Sequence, residues 1–211
     1  MKKLCVVSCP IATRSGYGSR SRDLVRSLIE TKGDEWDIKI LPQRWGQTPQ
    51  NALTTEDDDL TSRLIIGKMD TKPDIWVQIT IPSEFQAVGH FNIGVSAVIE
   101  TTEAPASFID GCNRMDLNIV SSEHSKITLN AVYDKMDKNT KQKLGEVKIE
   151  KPVEVLFEGF DENVYDNKAK VLSSVDDVLS VVKEDFAFLF VGHWLQGGIG
   201  HDRKNVGGMI H

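Results

Sequence analysis

The residues best suited to chemistry lie near the end of the sequence, where a glycine-rich stretch precedes two adjacent cations. The apolar run 187–191 predicts a strand buried on both faces, and the glycines after it cannot continue that strand. Free backbone N–H groups, a helix start and cationic side chains together favour phosphate, although an ordinary strand-to-helix turn has the same outline. The predicted phosphate contacts are Gly197, Gly198, Gly200, Arg203 and Lys204.

A second group of polar residues follows the predicted strands of the first 160 residues. The segments 16–20, 100–103 and 121–124 each come after a different strand. The carboxyl ends of parallel strands share one edge of a sheet, and ligands of such sheets bind there. These segments should therefore converge on one cleft, with the phosphate loop across it. The predicted cleft residues are Gly16, Tyr17, Gly18, Arg20, Glu100, Glu103, Ser122 and His124.

Two carboxylates in this group, Glu100 and Glu103, have the spacing of a pair for acid–base work. Glu100 follows the predicted buried strand 91–99 directly, so it is the preferred catalytic residue. Alternatively, Glu100 only ends that strand and Glu103 caps the next helix, since acidic residues stabilise helix starts. His124 is a lone histidine, which is more typical of a hydrogen-bonded structural residue than of a catalyst.

Composition narrows the class of protein. The 211 residues are enough for one large domain, or for one domain and part of another. A formal net charge of −6 argues against a surface that coats nucleic acid, so a nucleic-acid partner is not indicated. No stretch approaches the roughly 20 apolar residues of a transmembrane segment. The apolar run before Pro10 is too short for a signal peptide.

The potential metal ligands do not form a site on any recognised spacing. The three cysteines, Cys5, Cys9 and Cys112, are expected to be reduced and structural, in a cytoplasmic compartment. The histidines near the end of the chain are not arranged as zinc ligands. The acidic run 57–59 is interpreted as a solvated helix start, with metal binding as a minor alternative.

Strand and helix patterns alternate from residue 3 to residue 157, which predicts the α/β class with a Rossmann-like open parallel sheet. The first helix is expected to end at Gly33 and to be capped by Ser19 or Ser21. The pair Gly16 and Gly18 lacks the third glycine of the dinucleotide fingerprint, which argues against a nicotinamide or flavin oxidoreductase. The predicted strands are 3–9, 36–41, 74–81, 91–99, 117–120 and 152–157; the predicted helices include 60–69, 105–115 and 175–183, and 134–148 is an exposed excursion.

Four pieces of sequence carry a family resemblance. They are SGYGSRSRDLVRSL, VIETTEAPASFIDGCNRMDLNIVSSEHSK, PVEVLFEGFD and FLFVGHWLQGGIGHDRKNVGGMI. Their order and spacing resemble the N-terminal half of a glycosyltransferase of the GT-B fold, particularly glycosyltransferase family 4, over residues 3–211. The resemblance implies an acceptor-side Rossmann-like domain over 1–165, a linker and connecting helix over 166–185, and the start of the donor-binding domain over 186–211.

The activity implied by the resemblance is transfer of a sugar, with retention of configuration, from a nucleotide-diphosphate sugar to an acceptor that the sequence does not identify. No metal cofactor is implied. Lys204, with Arg203 beside it, matches the lysine that approaches the donor diphosphate in the family. The family's arginine after the strand is replaced here by His193, and its paired glutamates would lie beyond His211.

Residues 207–211 stop within the first turns of a helix, directly after a new strand that has no following layers to bury it. The sequence is therefore expected to be a piece of a longer protein, and inactive as a fragment. The alternative to a transferase is a non-catalytic α/β module that binds a nucleotide or a sugar phosphate.

Overall fold

The computed structural model describes residues 2–137, 139–162, 165–190 and 206–210. They belong to two units, Met1–Gly159 and Phe160–His211. The strands are β1 (Lys3–Cys9), β2 (Trp36–Pro42), β3 (Ile75–Ile79), β4 (Phe91–Ser96), β5 (Leu117–Val120), β6 (Tyr133–Met136), β7 (Lys143–Val147) and β8 (Val153–Val155). The helices are α1 (Gly16–Lys32), α2 (Asp58–Thr61), α3 (Ala106–Asn113), α4 (Glu123–Thr128), α5 (Ser173–Leu179) and α6 (Val206–Ile210), with a 3₁₀ helix at Pro82–Glu84.

The first unit is built on a six-stranded parallel sheet with the order β2-β1-β3-β4-β5-β8. This confirms the predicted α/β class with an open parallel sheet. The interior strand β1, next to the edge strand β2, is buried from residue 5 to residue 9, as its largely apolar sequence predicts for a strand covered on both faces. The sheet separates two hydrophobic clusters, one that includes Cys5, Val7 and Cys9 and one that includes Val6, because successive side chains of a strand point to opposite faces.

The N-cap of helix α1 lies four residues before the earlier of the two predicted caps. Ser15 is the N-cap, and its hydroxyl accepts a hydrogen bond from the Gly18 N–H at 3.0 Å. Ser21 is instead buried inside the helix and donates to the Tyr17 carbonyl at 2.6 Å. The predicted end is confirmed, since the Gly33 N–H closes the last turn on Ile29.

The predicted helix 60–69 is present only as the short helix α2. The chain then pairs with the edge strand β2: the Ile40 N–H donates to the Arg63 carbonyl at 2.9 Å, and the Ile65 N–H donates to the Ile40 carbonyl at 2.8 Å. These sheet-type bonds satisfy the backbone in place of further helical turns. The acidic run 57–59 does start a helix, as predicted, and its carboxylates pair with Arg26.

The predicted excursion 134–148 is largely exposed, but it is regular. Strands β6 and β7 form an antiparallel hairpin outside the main sheet. Tyr133 and Val147 face each other in that hairpin and pack against the cluster that includes Val6. The pairing explains why charged residues without helical periodicity still form ordered structure here.

The three cysteines are free and buried. Burial raises the pKa of Cys5, Cys9 and Cys112 to about 12. Each thiol therefore remains protonated near neutral pH and fills space in the core. This agrees with the structural role predicted for them.

In the second unit the predicted buried strand 187–191 is wrong for the residues that are described. Residues 186–190 form no strand and are exposed, with Phe188 at 90% and Leu189 at 87%. A strand needs a neighbour for its backbone hydrogen bonds. The described residues of this unit, 160–162, 165–190 and 206–210, contain no strand to provide one. The predicted helix 175–183 overlaps α5, which is exposed throughout.

Candidate functional site

The main sheet has its topological switch point between β1 and β3. The connection after β1 runs through α1 on one face, whereas the connection after β3 carries Phe85 to the other face. Because β1 and β3 are neighbours in the sheet, the two connections diverge at the carboxyl ends of these strands. Ligands of open α/β sheets bind at such a point.

The loop that follows β1 lies at the switch point and is held there by several hydrogen bonds. The Arg22 guanidinium donates to the carbonyls of Ile11 at 2.9 Å and Thr13 at 3.1 Å. The Thr13 hydroxyl donates to the Pro10 carbonyl at 2.9 Å and lies 2.8 Å from the Ser15 hydroxyl. These bonds fix where α1 begins, and hence where its first N–H groups point.

The two glycines at the start of α1, Gly16 and Gly18, have different surroundings. A Cβ on Gly18 would approach the Thr13 carbonyl oxygen to well under 3.0 Å, whereas a Cβ on Gly16 would meet nothing within 4 Å. Gly18 therefore allows the loop and helix to touch. Gly16 leaves open space over the first turn, whose N–H groups have no acceptor within the helix.

This difference predicts opposite results for the same substitution. We expect Gly18→Ala to lower the free energy of unfolding by about 1–3 kcal/mol, because the methyl group collides with backbone atoms. Gly16→Ala should cause no loss and a gain of up to about 1 kcal/mol, since alanine restricts the unfolded chain. Urea unfolding followed by circular dichroism measures both, and equal effects would contradict the described contact of Gly18.

Tyr17 joins α1 to the end of β4. Its hydroxyl lies 3.0 Å from the Ser96 hydroxyl and accepts a hydrogen bond from the Ala97 N–H at 3.1 Å. Burial raises the pKa of Tyr17 above its ordinary value, and the nearby carboxylates of Glu100 and Glu158 raise it further. The phenol therefore keeps its proton. Tyr17 is the predicted cleft residue with the most contacts at this edge.

The turn after β4 is strained. Val98 has a φ of 62°, in the left-handed region that β-branched residues avoid. Its N–H donates to the Ser96 hydroxyl at 3.1 Å, and the Ser125 hydroxyl donates to the Ala97 carbonyl at 2.9 Å. Such conformations persist where surrounding contacts fix them, and they cluster at functional sites.

The strained turn at Val98 places Glu100 away from its predicted position at the end of β4. Strand β4 ends at Ser96 rather than at residue 99, because the left-handed turn at Val98 breaks the ladder. Glu100 therefore lies in an exposed turn. The prediction that it directly follows the strand, on which both its preference as catalytic residue and the strand-ending alternative depended, is wrong. Its carboxylate is one of the charges that raise the pKa of Tyr17.

Arg20 connects α1 with the segment after β8. Its guanidinium donates to the Leu156 carbonyl at 2.8 Å, and its Nε lies 3.8 Å from a carboxylate oxygen of Glu158. The side chain is only 16% exposed. The predicted cleft thus gains one residue that sequence reasoning missed, Glu158.

The other three predicted cleft residues have simpler surroundings. Ser122 caps α4 by accepting from the Ser125 N–H at 3.1 Å. His124 is exposed on that helix. Glu103 is exposed, and the alternative in which it caps α3 is wrong, since Pro105 is the N-cap and makes no side-chain cap. The structure therefore brings together Tyr17 and Arg20 with the carboxylates near them.

Sequence reasoning also missed Trp45, whose ring stacks on that of Tyr17 with centroids 4.2 Å apart and planes inclined by 25°. A tryptophan inside an otherwise polar loop was the signal in the sequence that could have identified it.

The predicted phosphate contacts belong to a different part of the chain. Gly197, Gly198, Gly200, Arg203 and Lys204 lie outside the described residues.

Among the described residues, no group of three or more histidine, cysteine or carboxylate side chains is arranged to hold a metal ion. None of the described helices combines the length and apolar character needed to cross a membrane. Comparisons of the chain with protein-family models, with curated proteins and with solved structures found no match.

Proposed function

We propose that this chain is part of a cytoplasmic GT-B glycosyltransferase of the family 4 type, which moves a sugar from a nucleotide-diphosphate sugar to an acceptor with retention. The observation that supports the proposal best is the open parallel sheet with Tyr17, Arg20 and Glu100 at its switch-point edge. In this proposal, that edge is the acceptor side of the cleft.

The donor side rests on the sequence of the last segment. A departing diphosphate gains negative charge, and a helix N-terminus with adjacent cations stabilises that charge without a metal ion. We assign this role to Lys204 and Arg203, with the backbone of Gly197, Gly198 and Gly200. Glu100 is the proposed catalytic carboxylate, since it lies in the turn after β4 and its charge raises the pKa of Tyr17 on the candidate edge.

Calorimetry tests the proposal on the full-length gene product, with a panel of nucleotide diphosphates and their sugar conjugates. We expect micromolar binding of one nucleotide diphosphate and a loss of tenfold or more in Lys204→Ala, which corresponds to about 1.4 kcal/mol. Lys170→Ala is the matched control, because it removes the same charge from an exposed lysine of the segment that follows the first unit.

Two further outcomes separate the alternatives. Release of the nucleotide diphosphate from the bound donor, in the presence of an acceptor, distinguishes a transferase from a binding module. Binding without any turnover would favour the non-catalytic module. No binding by a demonstrably folded protein would overturn both.

A further inference from the structure

Trp45 is a large aromatic side chain that stays outside the core. It is partly exposed, and among the described residues it belongs to neither of the two hydrophobic clusters nor to the side chains packed against them. Among the described residues, its aromatic contact is the stack on Tyr17. Burial in the core therefore does not explain why a tryptophan stands here, whereas an exposed aromatic surface suits recognition.

The loop that carries Trp45 is fixed at its start. The Gln43 N–H donates to the Cys9 carbonyl at 2.8 Å, and the Gln43 side-chain amide donates to the Ser8 hydroxyl at 2.6 Å. Both acceptors belong to the carboxyl end of β1. The loop therefore leaves the sheet beside the switch point.

The loop is fixed at its far end as well. The Arg14 N–H donates to the Pro49 carbonyl at 3.0 Å, and the Arg14 guanidinium donates to the side-chain and main-chain oxygens of Asn51 at 2.9 and 3.1 Å. Between the two ends, the Thr48 N–H donates to the Trp45 carbonyl at 3.0 Å. A ring held in this way loses little freedom when a ligand covers it.

Polar residues lie close to Trp45 in the sequence of the loop and are not used by the fold. Arg44, Gln47 and Gln50 are exposed, and their side chains make no hydrogen bond to other described residues. Amide and guanidinium groups are planar and present several donors in a fixed geometry, which suits pairs of neighbouring hydroxyl groups. Residues 43–53 contain no carboxylate and one cation.

The side chains of this loop suit a saccharide better than a nucleic acid. A sugar ring has one face of C–H groups that packs on an aromatic ring, while its hydroxyls point outward to amides. A nucleic acid would need several cations for its phosphates, and this loop has one in a chain of net charge −6. The ring, the amides and the single charge together fit a neutral saccharide.

We propose that Trp45 is the stacking platform for a saccharide acceptor, whose hydroxyls are bound by Gln47, Gln50 and Arg44. The assignment of this saccharide as the acceptor rests on the proposed transferase function. It names the acceptor class and places the acceptor beside Tyr17, at the same edge as Glu100.

The test is a titration of the 211-residue chain with the methyl glycosides of glucose, galactose, mannose and N-acetylglucosamine and with their disaccharides, followed by NMR or calorimetry. We expect one of them to bind, and Trp45→Leu to weaken that binding tenfold or more. Trp36→Leu is the matched control: Trp36 begins β2 at the opposite end of the strand, where it packs against the core. Circular dichroism confirms that both variants are folded.

Each outcome decides the proposal. Binding that survives Trp45→Leu, or no saccharide binding by the folded chain, would overturn it, as would Trp45-dependent binding of a single-stranded oligonucleotide in place of the sugars. The nucleotide titration described above is independent. Nucleotide binding without saccharide binding leaves the transferase proposal intact and removes this one, whereas the reverse result removes the transferase and leaves a sugar-binding platform.

Discussion

Replacing Phe85 by alanine is expected to lower the free energy of unfolding by about 3–5 kcal/mol. The side chain is 1% exposed and belongs to the cluster that includes Val6. Its ring also covers Gly94 of β4 so closely that a Cβ there would lie 2.7 Å from ring atom Cζ. Neighbours with so little freedom cannot collapse into the space that the ring leaves, so the cavity remains. The change in urea midpoint, multiplied by the slope of the transition, measures the effect.

Phe91→Ala is the matched control, because it removes the same atoms from a residue that is 46% exposed at the start of β4. Half of its surface already contacts water, so the expected loss is about 1 kcal/mol. If the two variants lost the same stability, Phe85 would not be the core residue that the structure describes.

Gly111→Ala is expected to lower the free energy of unfolding by about 3 kcal/mol, at the upper end of the range for an overpacked site. A Cβ on Gly111 would lie far inside 3.0 Å of the carbonyl group of Pro82, which is backbone and cannot rotate away. Helix α3 would have to move off the 3₁₀ helix. Thermal and urea unfolding both measure the result.

Whether Gly111→Ala lowers or raises the free energy of unfolding reports whether α3 touches the 3₁₀ helix. Glycine within a helix normally costs about 1 kcal/mol relative to alanine, so a helix with free space at Gly111 would gain stability from the substitution. Arg114 bridges the same junction, with its guanidinium donating to the carbonyls of Phe85 at 2.7 Å and Ser83 at 2.8 Å. A stabilised Gly111→Ala variant would show that α3 and the 3₁₀ helix do not touch as described.

The sheet could be predicted from sequence because its signal is local. Apolar runs with β-branched residues mark β1 to β5, and alternation with helices implies parallel pairing. The positions at which helices and strands end could not be predicted in this way, because they depend on contacts between residues that are distant in sequence. Arg63 and Ile65 pair with β2 instead of extending α2, and residues 186–190 have the composition of a strand but no described partner.

The candidate site was predictable in its location and less so in its detail. The rule that ligands meet the carboxyl ends of parallel strands predicts Tyr17 and Arg20 at that edge, and both side chains bond to residues that follow strands of the sheet. It could not place Glu100, because the left-handed turn at Val98 is a conformation that valine does not favour by itself. Tertiary contacts from Tyr17 and Ser125 support that turn, and no periodicity in the sequence reports such contacts.

The strand order also has a consequence for synthesis on the ribosome. Strand β1 is made first and becomes an interior strand, and after β2 has joined one side, every later strand of the main sheet adds to the other side in the order of translation. The sheet can therefore grow in one direction as the chain emerges. We expect the closure of β1 onto β3 to be slow, because it joins distant residues: the Leu4 N–H donates to the Asp74 carboxylate 70 residues later. Until that point the unpaired side of β1 is the surface that a nascent chain must protect.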